Sequence, residues 1–248
     1  MSHVQVGPYT IFVERRSSRV VFGRRRREGL RLTVERDGSL KVTAPPRVPM
    51  KLVEEFVLAN LDWIEENRTR MQAEIAKNPP KQFVEGETFR FFGIPRTLAF
   101  EEAKAGSRPR LELIENYLVY TAGPGDFTPV KVREAMFKFF DQQARLHLPE
   151  RVQHFVRAMG VAPSGLSFRY QKTRWGSCSS RGHVSFNCKV VFAPEAVIDY
   201  LVVHELAHLV HADHSKKFWD LVAQHDSSWR QHRRWLRDHQ TEIEYLNA

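Results

Sequence analysis

Cysteine is scarce in this 248-residue sequence: Cys178 and Cys188 are the only two. They form no C-x-x-C pair, so they make no cysteine-based zinc motif. Both fall in one predicted hairpin, which leaves a cross-strand disulfide open; a pair of free thiols is the expectation for a cytoplasmic protein. Long apolar runs are also missing. Nothing approaches the run of about eighteen residues that a membrane-spanning helix needs, so no membrane span is expected. The first residues, Met1-Ser2-His3-Val4-Gln5, lack the apolar core of a signal peptide, and a cytoplasmic location is expected. There is no internal repeat and no low-complexity tract. The remaining composition, 42% hydrophobic and 27% charged, is that of a globular protein with one large core or two small ones. The net charge of +9 points to anions as partners, such as nucleotides or nucleic acid.

The most informative stretch runs from Val203 to His214, V-H-E-L-A-H-L-V-H-A-D-H. It follows an apolar, helical flank, Val197 to Val202. Residues four apart share a helix face, so His204 and His208 can offer two imidazole nitrogens to one Zn²⁺. Glu205 is rotated by about 100° from His204. That sets it beside the metal, where a general base for a metal-held water belongs. Two histidines compete for the third position. On an uninterrupted helix, His211 lies about 10.5 Å of rise from His204, too far for bonds of about 2.0–2.1 Å to a shared ion. A chain that breaks after His211 and turns back delivers His214 instead. Ala212-Asp213-His214-Ser215 has that character, with Asp213 or Ser215 available to cap the next helix. The expectation is one Zn²⁺ per chain on His204, His208 and His214, with His211 in a packing or supporting role.

This segment, with Ser215-Lys216-Lys217-Phe218-Trp219 after it and Arg174-Trp175-Gly176-Ser177-Cys178-Ser179 upstream, resembles the YgjP-like zinc metallopeptidase family. That family is related to the WLM and SprT-like proteases. The match is specific over roughly the last hundred residues and general in character before them. The histidine spacing also fits metzincins, but His211 stands at their glycine position and no Met-turn is evident. The resemblance implies a zincin-like catalytic half in which the Arg174–Ser179 segment lies near the metal. Arg174, Trp175, Gly176 and Ser177 are then the expected substrate-binding residues. Arg174 suits a developing oxyanion or a phosphate, because its guanidinium is always charged and forked; the plainer reading is that Trp175 and Gly176 build a turn. Three functions follow: a zinc metallopeptidase acting on peptides or proteins, a metal-dependent nucleoside triphosphate pyrophosphohydrolase, and a nucleic-acid-associated protease or binding module.

The rest of the chain reads as α+β. Strands are expected at Tyr9–Val13, Arg19–Phe22, Leu30–Glu35 and Leu40–Ala44, the last two joined at Asp37-Gly38. The run Gly23-Arg24-Arg25-Arg26-Arg27 reads as a solvated strand edge. One long amphipathic helix is expected from Met50 to about Ala76. Short strands follow from Phe83 to Phe100, then a hairpin over Glu115-Asn116. Gly123-Pro124-Gly125 marks the expected boundary between a mainly antiparallel N-terminal domain, 1–125, and a catalytic domain, 126–248. In the second half, the expectations are a helix from Val130 to Met159, a strand at Leu166–Gln171 and its hairpin partner at Val184–Phe192. The zinc helix from Pro194 and two further helices complete the chain.

Overall fold

The computed structural model describes residues 2–15, 29–35, 38–77, 79–171 and 174–240. They divide into two compact units, Met1–Pro79 and Pro80–Ala248. The expected strand at Arg19–Phe22 and the basic run from Gly23 to Arg27 lie outside the described residues.

The first unit holds β1 (Ser2–Val6), β2 (Tyr9–Arg15), β3 (Arg31–Val34) and β4 (Leu40–Ala44). Their order is β1-β2-β4-β3. The β1–β2 and β3–β4 pairs are antiparallel, and β2 runs parallel to β4. Period-two alternation buries Ile11, Val13, Leu40 and Val42 against Val53, Val57 and Ile64 of the helices. The single helix expected after Met50 is two: α1 (Met50–Leu58) and α2 (Leu61–Lys77). Asn60 makes the break. Its side chain donates to the Phe56 carbonyl at 2.7 Å, closing α1, while its own carbonyl accepts from the Ile64 N–H at 3.0 Å, opening α2. The stripe turns with it, so Val53 and Val57 face the core while Leu52 and Trp63 are exposed.

The second unit starts with β5 (Thr88–Phe91), β6 (Ile94–Glu102), β7 (Arg110–Ile114) and β8 (Tyr117–Ala122), ordered β5-β6-β8-β7. A 31-residue helix, α3 (Pro129–Met159), follows. Thr128 caps it, Pro129 opens it with a φ already suited to a helix, and Gly160 ends it at φ 64°. The Phe91 ring lies 5.4 Å from Phe139 and 5.9 Å from Phe140, and Phe140 lies 4.4 Å from Phe192. The β5–β8 sheet thus shares one core with the C-terminal helices. The division between units falls at Pro79–Pro80 and not at Gly123-Pro124-Gly125, because apolar burial crosses that local turn signal.

The chain then forms β9 (Gly165–Arg169), β10 (Gly176–Cys178) and β11 (His183–Asn187), in the order β10-β11-β9. The expected Leu166–Phe192 hairpin is different in two respects. β9 runs parallel to β11, and the antiparallel partner of β11 is the short β10. The strand expected to reach Phe192 stops at Asn187, whose side chain accepts from the Lys189 N–H and starts a 3₁₀ turn over Cys188–Phe192. Cys178 therefore faces Val184 across the ladder, and both cysteines are free thiols.

Helices α4 (Glu195–Ala207), α5 (Lys216–His225) and α6 (Trp229–Asp238) complete the unit. The start of α4 is clamped twice by the β5–β6 hairpin. Phe92 N–H donates to the Val191 carbonyl at 2.7 Å and Gly93 N–H to the Phe192 carbonyl at 3.1 Å. A Cβ at Gly93 would stand 2.7 Å from Pro194 Cγ, so only glycine lets the hairpin tip lie there. Farther along α4, Arg151 of α3 grips Asp199 with two hydrogen bonds of 2.6 Å. Architecture is α+β, and among the described residues no helix is long and apolar enough to cross a membrane.

Candidate metal centre

α4 is buried along nearly all of its length, which makes its last turn a rigid platform. The helix ends at Ala207, earlier than the expected break after His211. His208 is its C-cap, and the Leu209, Val210 and His211 amides turn back onto the Leu206 and Ala207 carbonyls. This early stop lets the chain turn back and deliver His214, seven residues after Ala207. Asp213 Oδ1 accepts from the Ser215 N–H at 3.2 Å and fixes the entry into α5.

The turn brings His204, His208 and His214 together, with one ring nitrogen from each lying within 4.8 Å of the others. His204 Nε2 and His214 Nε2 are 3.3 Å apart. Two ligands of one tetrahedral Zn²⁺ with bonds of about 2.0–2.1 Å stand about 3.3–3.4 Å apart, so this pair fits the ion. In two of the three the other ring nitrogen is occupied, as metal-ligand histidines require. His208 Nδ1 faces the His211 carbonyl at 3.2 Å, and His204 Nδ1 faces the Tyr200 hydroxyl at 3.4 Å. His211 thus takes part through its backbone and not its ring. Tyr200 escaped the sequence reading although its spacing, four residues before His204, could have exposed it.

Burial keeps the His204 and His208 imidazoles neutral. Burial, then the neighbouring His208, His214 and Arg233, push His204 down to about 3. Burial also lowers His208, with the His211 carbonyl pulling the other way. Neutral imidazoles with free lone pairs are the form that binds a metal. The three residues therefore suit a divalent cation of borderline softness, and zinc in particular.

Glu205 points from the same turn and is 4% exposed. Burial pushes its carboxyl up to about 8, and the charge of Arg174 works against that rise. Its side chain lies directly on Gly176 of β10. A Cβ there would stand 2.5 Å from Glu205 Oε1, 2.8 Å from Cγ and 2.9 Å from Cδ. The absent side chain at 176 is what leaves room for the carboxylate.

Arg174, Gly176 and Ser177 line a cavity of about 700 Å³ together with His204, Glu205, His208 and His214. Of the four residues expected to bind substrate, Trp175 is the one that does not face it. Its ring is buried, and its indole N–H donates to the Leu236 carbonyl at 3.0 Å, docking the segment on α6. Asn187, also missed in the sequence, holds the segment from the other side by donating to the Gln171 and Arg174 carbonyls, each at 2.8 Å. Cys178 sits half-buried in the cavity, its thiol pushed up by burial and by the charge of Glu205.

β10 is an edge strand. Trp175 accepts from the Asn187 N–H at 2.7 Å and Ser179 donates to the His183 carbonyl at 2.9 Å. Antiparallel pairing alternates, so the amides and carbonyls of Gly176 and Cys178 point away from β11. Among the described residues no strand pairs with that side.

A family model described as the YgjP-like metallopeptidase domain matches residues 28–239. No curated protein is similar enough to match the chain. Among solved structures, the crystal structure of the metallopeptidase zymogen of Pyrococcus abyssi abylysin is similar at 22% identity. The match covers 38% of this chain and 95% of that one, with a TM-score of 0.33.

Proposed function

The chain belongs to the YgjP-like metallopeptidase family, and on that premise we propose that it hydrolyses peptide bonds with one Zn²⁺ on His204, His208 and His214 and with Glu205 as general base. The observation that carries this reading is the pairing of three converging histidine nitrogens with a buried carboxylate in one cavity. When bound, the ion supplies Lewis-acid polarisation of a carbonyl and acidifies water.

The chain's own residues do the rest. Glu205 takes a proton from the attacking water and returns it to the leaving nitrogen. Gly176 and the rigid end of α4 hold its carboxylate in place. The Tyr200 hydroxyl and the His211 carbonyl orient two imidazoles. The free edge of β10 offers backbone donors and acceptors at Gly176 and Cys178 to an extended peptide, which sets the scissile bond across the cavity. Arg174 faces the same space and orients or stabilises one substrate oxygen.

The test is a zinc-loaded preparation assayed on casein, on a mixed peptide library and on nucleoside triphosphates. Peptide cleavage by the wild type, lost by about 10²–10⁴ in Glu205→Gln with zinc retained, is the expected result. Release of phosphate or pyrophosphate without any peptide cleavage overturns the peptidase reading. Near-normal turnover in Glu205→Gln removes that residue as the base.

A further inference from the structure

α6 carries Arg230, Arg233, Arg234 and Arg237 at helical positions i, i+3, i+4 and i+7, which puts all four on one face. Trp229 and Leu236, at the flank of that face, are buried in the core. The four guanidinium side chains and Trp229 line a cavity of about 430 Å³. Among the described residues, Arg237 pairs with Asp238 at 3.0 Å, and Arg230, Arg233 and Arg234 have no carboxylate partner. Crowding like charges costs stability, and among the described residues Asp238 is the one carboxylate paired with any of the four.

Two of these arginines are held by rings. Arg230 lies 4.5 Å from the centre of the Trp229 ring and Arg233 lies 4.8 Å from that of Trp219. The two indoles stack at 4.3 Å and 13°. Trp219 in turn stacks on His214 at 5.5 Å and 24°. The basic cavity therefore begins one indole away from a metal-site histidine.

We propose that this arginine cavity binds the acidic side chains of a polypeptide, and so selects acidic segments for the neighbouring metal site. The preference for acidic segments rests on the peptidase reading only for its purpose; the carboxylate binding does not. Guanidinium forks match carboxylates bidentately. A single-stranded nucleic acid would need open ring faces for its bases. Trp229 is 8% exposed, and Trp219 and Arg230 lie over its ring.

Binding is measured apart from cleavage, by fluorescence anisotropy of labelled polyglutamate and matching polyglutamine peptides on the zinc-loaded full chain. Polyglutamate should bind at least about tenfold more tightly, and an Arg230→Gln/Arg234→Gln double variant should lose about tenfold. The corresponding double lysine variant should fall between wild type and the double glutamine variant, because it keeps the charge and loses the fork. Equal affinity for the two peptides overturns the proposal, as does an unchanged double glutamine variant or tighter binding of a mixed-sequence oligonucleotide of equal charge. Should that variant fail to fold, the wild type decides: raised salt must weaken polyglutamate binding by about tenfold or more, and a salt-independent affinity sinks the idea. Casein cleavage is scored separately. Casein cleavage without a polyglutamate preference removes this inference alone; a polyglutamate preference without cleavage of casein or of the peptide library leaves it standing and removes the peptidase reading.

Discussion

Gly176→Ala tests the site where its packing is tightest. The added Cβ would stand 2.5 Å from Glu205 Oε1, 2.8 Å from Cγ and 2.9 Å from Cδ, all well inside the roughly 3.5–4.0 Å of an ordinary carbon contact. Something must move. β10 is pinned on both sides of Gly176, by the Asn187–Trp175 bond at 2.7 Å and the Ser179–His183 bond at 2.9 Å. The α4 backbone is buried and clamped through Asp199 and Pro194. The Glu205 side chain is the softest element, so its carboxylate swings out of place. If that removes general-base help, kcat/KM falls by about 10²–10⁴, or about 2.7–5.4 kcal/mol of transition-state stabilisation. The residual overpacking should cost about 1–3 kcal/mol of folding stability. None of the three histidines is touched, so zinc content should hold.

The assay joins kcat/KM on a cleaved peptide, elemental zinc and a thermal melt. Glu205→Ala in the Gly176→Ala background should restore part of the lost stability, because the clash then has no partner. A Gly176→Ala protein within about threefold of wild type in kcat/KM, with an unchanged melt, would refute the argument that this contact sets the base.

The remaining expectations concern the metal, the cation and the thiols. His204→Ala and His214→Ala should each lose most bound zinc by elemental analysis, while His211→Ala should keep it, because that residue supports His208 through a backbone carbonyl; zinc loss in His211→Ala would put its ring in the site. Arg174→Lys should retain appreciable peptide cleavage and Arg174→Ala should lose more, since a positive charge survives only in the first; an Arg174→Ala kcat/KM equal to wild type makes the residue structural. Burial and the neighbouring Asp141 push the Cys188 thiol up to about 12, so at pH 8 its thiolate is about one part in 10⁴. Iodoacetamide followed by peptide mapping should therefore modify Cys178 and spare Cys188 in the folded protein; equal labelling contradicts the buried thiol.

Local spacing carried much of this fold. Thr128-Pro129 and Gly160 bound α3 as their side chains and backbone preferences require, and Glu115-Asn116 makes the β7–β8 turn. His204 and His208 were readable because four residues make one helical turn. The misses are of two kinds, one with a determinant close in sequence and the others with determinants farther away. Asn60 splits an apolar stripe through a hydrogen bond to Phe56 that competes with helix continuation. β9 and β11 pair in parallel because the short β10 takes the antiparallel place. The expected domain boundary failed to anticipate that Phe91 would pack on Phe139 and Phe140 across it.

The same distinction separates the residues of the R-W-G-S-C segment. Spacing within it says nothing of direction, so Arg174, Trp175, Gly176 and Ser177 are all expected to bind substrate, with turn-building as the plainer reading of Trp175 and Gly176. In the structure Trp175 is turned into the α6 interface by its bond to Leu236, 61 residues away. That anchor fixes the strand's rotation. Side chains on a strand alternate faces, so a buried Trp175 turns Gly176 the other way, against Glu205. The glycine leaves room for the carboxylate, and the tryptophan keeps the glycine there. On this reasoning Trp175 shapes the cavity without lining it, through the room that the segment's smallest member leaves for Glu205.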